Sequence, residues 1–533
     1  MKKFGKLLAG VLACALCFCT PVLAGCGNKN KDLKDANVLN IVMPDLGYGT
    51  DWMKALGSAF TQESGHKVNV DVTPSESGFD NAIRSGTAEY DIYLMRTNTY
   101  SLVANNAANA SGYDCVLAEL DDVYDSEIEP GVKFKDKMKD IYEVYNRIDR
   151  KGDGENHYYA VQWCDSIFSV VRNLDVWQES WKLPNTTDEL LGLCAQIKGD
   201  GATPMIWSSK DPYVWSVANL WVTQYQGTED MYGSKGFWNA YTEGGGEQYS
   251  PDMWDRKGIL YAMEVVDELV NSRNEYSHAA STSEDFTTAQ GYFMIPSQKI
   301  AMMFNGDWLY KEMVRNYSGA HIEMFKTPVI SKIKDHPDCL GQFDNDAELS
   351  ALIKAIDEGS TALTGEGYSV NQKAFDKVYE ARNMYTCSTN INHVMVSPSY
   401  SDSLPIVKAF YKFLASDKGL ALYASSSGGF TLGFDTSASV LAASDAAANS
   451  FVKSSEKIKQ NGNVAPWPMY INRLFAVGGM PVYPTIESGY MFPEQIFAQK
   501  GSGYKSAATQ FSDNKKSAQG QWSRYMRTAG LIQ

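Results

Sequence analysis

The sequence is poor in the patterns that most catalytic chemistries need. Only six histidines occur among 533 residues, at His66, His157, His278, His321, His336 and His393. They are dispersed, and none belongs to an HExxH pair that would hold zinc on one helix face. No GxSxG elbow presents a nucleophilic serine. No GxxxxGK[ST] loop cradles a phosphate, so nothing here binds ATP in that way. Lysines and arginines form no basic cluster, and the formal net charge is −15. That balance argues against nucleic acid and against direct adsorption to an anionic membrane. Beyond residue 25 no apolar run reaches the length of a membrane-spanning helix, and no 20- to 50-residue period marks a solenoid or propeller. A metal-free, cofactor-free chain is therefore expected, with scattered acid pairs as its only conventional catalytic material.

What is present begins with an N-terminal leader. Lys2, Lys3 and Lys6 precede the apolar stretch "LLAGVLACALCF", and the segment closes on Leu23-Ala24-Gly25-Cys26. This reads as a secretory signal over residues 1–25 and is set aside from the fold. The Leu-Ala-Gly-Cys closure resembles a bacterial lipoprotein box, which implies cleavage before Cys26 and lipidation of that residue. Residues 26–37 are polar and poor in apolar side chains, as a flexible tether should be. Removing 25 of 533 residues leaves 508, and the three departing lysines take the net charge from −15 to −18. Cys115, Cys164, Cys194, Cys339 and Cys387 remain beyond the anchor. Five is odd and none is spaced CxxC, which disfavours zinc and leaves the pairing open; most read as small buried hydrophobes.

The most readable segment starts at Val38. Val38 to Met43 reads as a strand, a Gly-containing loop spans Asp45 to Gly49, and Thr50 or Asp51 caps a helix. Trp52, Leu56 and Phe60 share one face of that helix. Gly65 ends it, and Val68, Val70 and Val72 alternate as a second strand, followed by a third at Asp91 to Met95. Strand, helix, strand, helix, strand implies a parallel α/β sheet with right-handed crossovers. Ligands in such sheets sit beyond the carboxyl ends of strands, here Asp45 to Tyr48 and Arg96 to Asn98. Further on, a long strand-like run ends at Val171, Thr186 or Thr187 caps a Leu-rich helix, and Asp344 or Asp346 caps another. "DRKGDGENHYYA" has the outline of a calcium loop. Lys151 and Ala160 stand where oxygen ligands belong, so a hairpin turn is expected.

One stretch poses a question about chemistry. The buried-looking strand Ile300 to Phe304 runs into Asn305-Gly306-Asp307, and Trp308 follows at once. Gly306 would let the backbone bend, Asp307 would accept hydroxyl protons or cap a helix, and Trp308 would cover the flat C–H face of a sugar. Trp163, Trp207, Tyr213 and Trp467 lie in comparable segments, whereas Trp215 and Trp221 read as packing.

The order of several short motifs resembles the extracellular solute-binding proteins of bacterial ABC importers, in their carbohydrate-type group. The marks are "AFTQESGHKVNV", "AIRSGTAEYDIYLM", "YYAVQW…VVRNLDVWQES" with "KLPNTTDEL", "GYFMIPSQKIAMMFNGDWL" and "FLASDKGLALYASSSGGF". Arg172 departs from the pattern, and the chain is about a hundred residues longer than many members, which bears on ligand size. The resemblance implies a two-lobe α/β fold of the periplasmic-binding-protein type (class II), with residues 38–162 and 326–425 in the first lobe and 163–325 and 426–533 in the second. It implies a monomer that binds an oligosaccharide without covalent change and hands it to permease subunits driven by a separate ATPase. Asp45, Tyr48 and Arg96 would line the first lobe, and Trp163 and Asp165 the hinge. Trp207, Asn305, Asp307, Trp308, Gly429, Phe430 and Trp467 would line the second. A peptide, a polyamine, or a surface polysaccharide-degrading activity are the alternatives.

Overall fold

The computed structural model describes residues 37–533 apart from 46, 97, 105–114, 163–164, 247, 388–392, 397–402, 461 and 485–491. The leader, Cys26, most of the tether, Trp163 and Cys164 therefore lie outside the described residues. Two sheets organise the chain. In the first, strands run in the order Lys67–Thr73, Val38–Pro44, Ile92–Met95, His393–Val396, Ala160–Gln162. The first three are parallel and the last two join antiparallel. Val38–Pro44 has neighbours on both edges and is buried along its length, which suits its apolar residues; the one polar side chain, Asn40, is bonded to Asp91. The helix Asp51–Ser64 covers this sheet with Trp52, Met53, Leu56 and Phe60. Burying each such side chain stabilises by roughly 1.5–3 kcal/mol. Thr50 occupies the cap position without a side-chain bond, and Gly65, at φ 78°, closes the helix by donating to the Thr61 carbonyl. Gly57 is fixed by contact: a Cβ there would lie 2.9 Å from Val68 Cγ1.

The second sheet runs Thr203–Ile206, Ile300–Gly306, Phe168–Asn173, Met384–Cys387, Asn463–Pro466, and Ile322–Phe325 also pairs with Phe168–Asn173. The strand expected to run unbroken to Val171 is thus two strands, Ala160–Gln162 and Phe168–Asn173, one in each sheet. The chain crosses between sheets there and returns between Met384–Cys387 and His393–Val396. A third passage lies between the helix Ala438–Ala447, which packs on Asp417–Ser427, and the helix Ser450–Lys459, which packs on Ile322–Phe325 of the second sheet. This is the class II two-lobe architecture.

Sheet membership moves one expected boundary. Met384–Cys387 belongs to the second sheet, and the preceding helices Asp346–Asp357 and Gln372–Arg382 pack with that lobe, so 326–387 sits there rather than in the first lobe. Conversely, Ala438–Ala447 packs on Asp417–Ser427, which packs on Asp51–Ser64, so the first lobe extends past residue 425. Local signals fare as physics dictates. The Thr186 side chain accepts the Glu189 N–H. Asn345, not Asp344 or Asp346, caps the helix Asp346–Asp357, because Asp346 is turned to Lys334 and Thr186. Asp149 gathers the N–H groups of Gly152, Asp153 and Gly154 in a turn between the antiparallel strands Arg147–Ile148 and His157–Tyr158.

Candidate functional site

The strand Ile300–Gly306 ends between the lobes. Its last residue is a glycine for lack of room rather than for bending: a Cβ on Gly306 would lie 2.3 Å from the Trp308 ring. The indole folds back over its own strand and is only 4 % exposed. Phe168 and Tyr213 meet it edge-on at 5.0 and 6.3 Å between ring centres. From the first lobe, Tyr48 meets it at 6.0 Å and meets Phe430 at 4.8 Å. The Tyr48 hydroxyl donates to Asp307 Oδ1 at 2.9 Å. Lys311, on the short helix Leu309–Met313, donates to the carbonyls of Tyr48 and Ser427 at 2.8 and 2.7 Å. Side chains of the second lobe thus hold the loop of the first, and the lobes are closed on each other here.

Behind this floor lies a buried charge network. Lys459 sits 3.8 Å from Asp307 Oδ2, 2.5 Å from Glu456 and 2.8 Å from the Asp165 carbonyl. Burial pushes the Asp307 carboxyl up to about 7, with Lys459 opposing the shift. Asp165 accepts from Lys139, Tyr142 and Tyr385. Burial alone would raise its pKa, yet Lys139 and Lys459 outweigh that and hold it below the usual carboxylate range.

Beside the floor an open cavity of about 770 Å³ separates the lobes. Asp45, Gly47 and Arg96 line it from the first lobe, and Asp211, Tyr213, Phe286, Gln290, Lys311 and Glu312 line it from the second. Tyr213 and Phe286 stack at 3.6 Å with 19° between planes, forming an aromatic shelf. Arg96 is held by Glu76 at 3.2 Å. Glu312 accepts from Gln290 at 3.0 Å, and desolvation raises its carboxyl and that of Asp211.

The expected site residues therefore separate. Asp45 and Arg96 are on the cavity wall, while Tyr48, Asp307, Trp308 and Phe430 form the sealed floor. Asn305 is buried in its strand, its side-chain oxygen accepting the Gly306 N–H at 2.7 Å. Gly429, at φ 100°, packs under the helix Ala438–Ala447 and accepts from Ser444. Asp165 lies in the network behind the floor. Trp207 is core, its indole N–H donating to Ser277 at 2.8 Å, and Trp467 is core against Tyr483. Burial claims both rings, at 1 % and 3 % exposure. Sequence reading missed Asp211, Phe286, Gln290 and Glu312. The available signal was position: Asp211 and Phe286 stand at or just before helix starts, and Glu312 follows Trp308 by one helical turn. Elsewhere, Glu119, Asp121 and His157 bring ligand-type atoms within 4.8 Å of one another, but Asp121 is already spent on His157 and the Tyr158 N–H.

The bacterial extracellular solute-binding protein family profile matches residues 46–421. No curated protein sequence matched. Among solved structures, the chain is similar to the GacH receptor of Streptomyces glaucescens GLA.O, determined unliganded and with acarbose and an acarbose homolog. The TM-score is 0.54 at 16 % identity, covering 93 % of this chain and 99 % of that one. That likeness concerns the fold. Among the described residues no helix is long and apolar enough to cross a membrane.

Proposed function

The chain belongs to the bacterial extracellular solute-binding protein family, and on that premise we propose that it captures an oligosaccharide between its lobes and delivers it to an ABC permease driven by a separate ATPase. Cys26 carries the lipid that keeps it at the outer face of the cytoplasmic membrane. The reading is carried by the open cavity: a stacked aromatic shelf, Tyr213 on Phe286, stands among side chains that bond hydroxyls. Sugars present flat C–H faces edged with hydroxyls, which such a shelf and flanking Asp45, Arg96 and Gln290 would take. The GacH receptor, similar in fold, is known in complex with acarbose and an acarbose homolog, which supports the choice of a carbohydrate ligand but not of particular residues. Binding and lobe closure are the whole of the chemistry, with no bond made or broken. Function then depends on differential affinity for the closed state.

Calorimetric titration of the purified protein against a panel of neutral and modified oligosaccharides, with product analysis of each mixture, tests it. Saturable binding of unchanged sugar is expected, weakened at least about tenfold, or ~1.4 kcal/mol, by Tyr213→Ala. Cleaved sugar would replace the receptor with an enzyme, and silence across the panel would remove saccharides from consideration.

A further inference from the structure

The charges around the cavity are not balanced for a neutral ligand. Four carboxylates line it, on Asp45, Asp211, Asp285 and Glu312, against three cations, on Arg96, Lys311 and Arg315. Two of those cations are already committed. Arg96 neutralises Glu76, which lies outside the lining, and Lys311 holds the Tyr48 and Ser427 carbonyls. Of the acids, Asp285 caps the helix Phe286–Phe293 through the Thr288 N–H at 2.8 Å, and Asp45 stands exposed at the mouth. Asp211 is half-buried and Glu312 exposed, and neither is in an ion pair among the described residues. Both line the same cavity as Tyr213 and Phe286. Gln290, 2 % exposed, reaches from beneath to hold Glu312.

A partly desolvated carboxylate without a counter-ion is unfavourable, and a ligand cation removes that penalty. An ammonium group beside an aromatic face gains further attraction from the ring. We infer that the ligand carries a protonated amine, and that Asp211 and Glu312 beside the Tyr213–Phe286 shelf select it over the corresponding neutral sugar. This rests on the saccharide reading above and narrows it to amine-bearing saccharides.

The probes are glucosamine oligomers and their N-acetylated counterparts, titrated calorimetrically at slightly acid pH in low and high salt. The aminated oligomers are expected to bind at least about tenfold more tightly than the acetylated ones, the scale of a charge-assisted hydrogen bond. Added salt should erode that preference. Asp211→Asn and Glu312→Gln should each shrink the ratio of the two affinities by about threefold or more. Because the ratio is read within each variant, a folding defect shows as loss of both affinities. Equal binding of the two series would overturn the inference and leave the saccharide receptor standing. Spermidine binding with no response to any sugar would keep the cation and overturn the saccharide. No response to any of these probes would overturn both.

Discussion

The two halves of the interlobe cleft are built from the same materials and do opposite things. The floor, Tyr48, Asp307, Trp308 and Phe430, turns its aromatic rings and carboxylate on one another across the lobes, and it is sealed. The wall, Tyr213, Phe286, Asp211 and Glu312, leaves its aromatic shelf beside an open volume, with neither carboxylate in an ion pair among the described residues. Residue type does not separate closure from capture; enclosure does. Rings and carboxylates sealed against the opposite lobe hold the lobes together, and those left beside open volume can meet a ligand.

Changes to the floor and its backing should act on stability first. The largest effect belongs to Asp165→Ala, which takes from Lys139 and from the buried Tyr142 and Tyr385 hydroxyls the carboxylate they share. Removing one partner of a buried charge group costs about 3–5 kcal/mol, visible as an early denaturant midpoint; an unchanged midpoint would show that solvent reaches that network. Next comes Gly306→Ala, which drives a methyl into the Trp308 ring. Overpacking of this kind costs about 1–3 kcal/mol, and a tolerated alanine would mean that the indole moves freely.

A smaller effect tests the floor's electrostatics. Asp307 is raised from 3.8 to about 7 in the fold. Between those values the folded state binds the proton that the unfolded chain has released, so its contribution is present at low pH and is lost as pH rises through about 7. Asp307→Asn keeps an acceptor for the Tyr48 hydroxyl and needs no proton. The variant should therefore gain thermal stability relative to the parent as pH rises through neutrality. A constant difference across that range would contradict the shift.

The sequence made the scaffold legible where one residue type could play only one part. The mostly apolar strand Val38–Pro44, the Trp52–Leu56–Phe60 face and the Gly65 stop each have a local cause. The closing turn was also legible as a place, since a strand, a glycine and a large aromatic meet there. Its purpose was not. Whether Trp308 covers a ligand or its own strand depends on Gly306 and Phe168, which only the fold brings against it. Trp207 and Trp467 misled for the same reason: loop-like surroundings in sequence became apolar surroundings in space. The wall was hardest to read because Asp211, Phe286 and Glu312 come from three separate elements whose convergence no local pattern records. The lobe boundary failed likewise at Met384–Cys387, because sheet membership is decided by pairing over long sequence distance.

The central claim is that ligand enters at the wall rather than elsewhere on the surface. Its most direct measurement is a saccharide titration of Tyr213→Ala beside Tyr379→Ala, a tyrosine 45 % exposed outside the cleft. The account predicts at least about tenfold weaker binding in the first and no change in the second. Equal affinities in the two variants would contradict it.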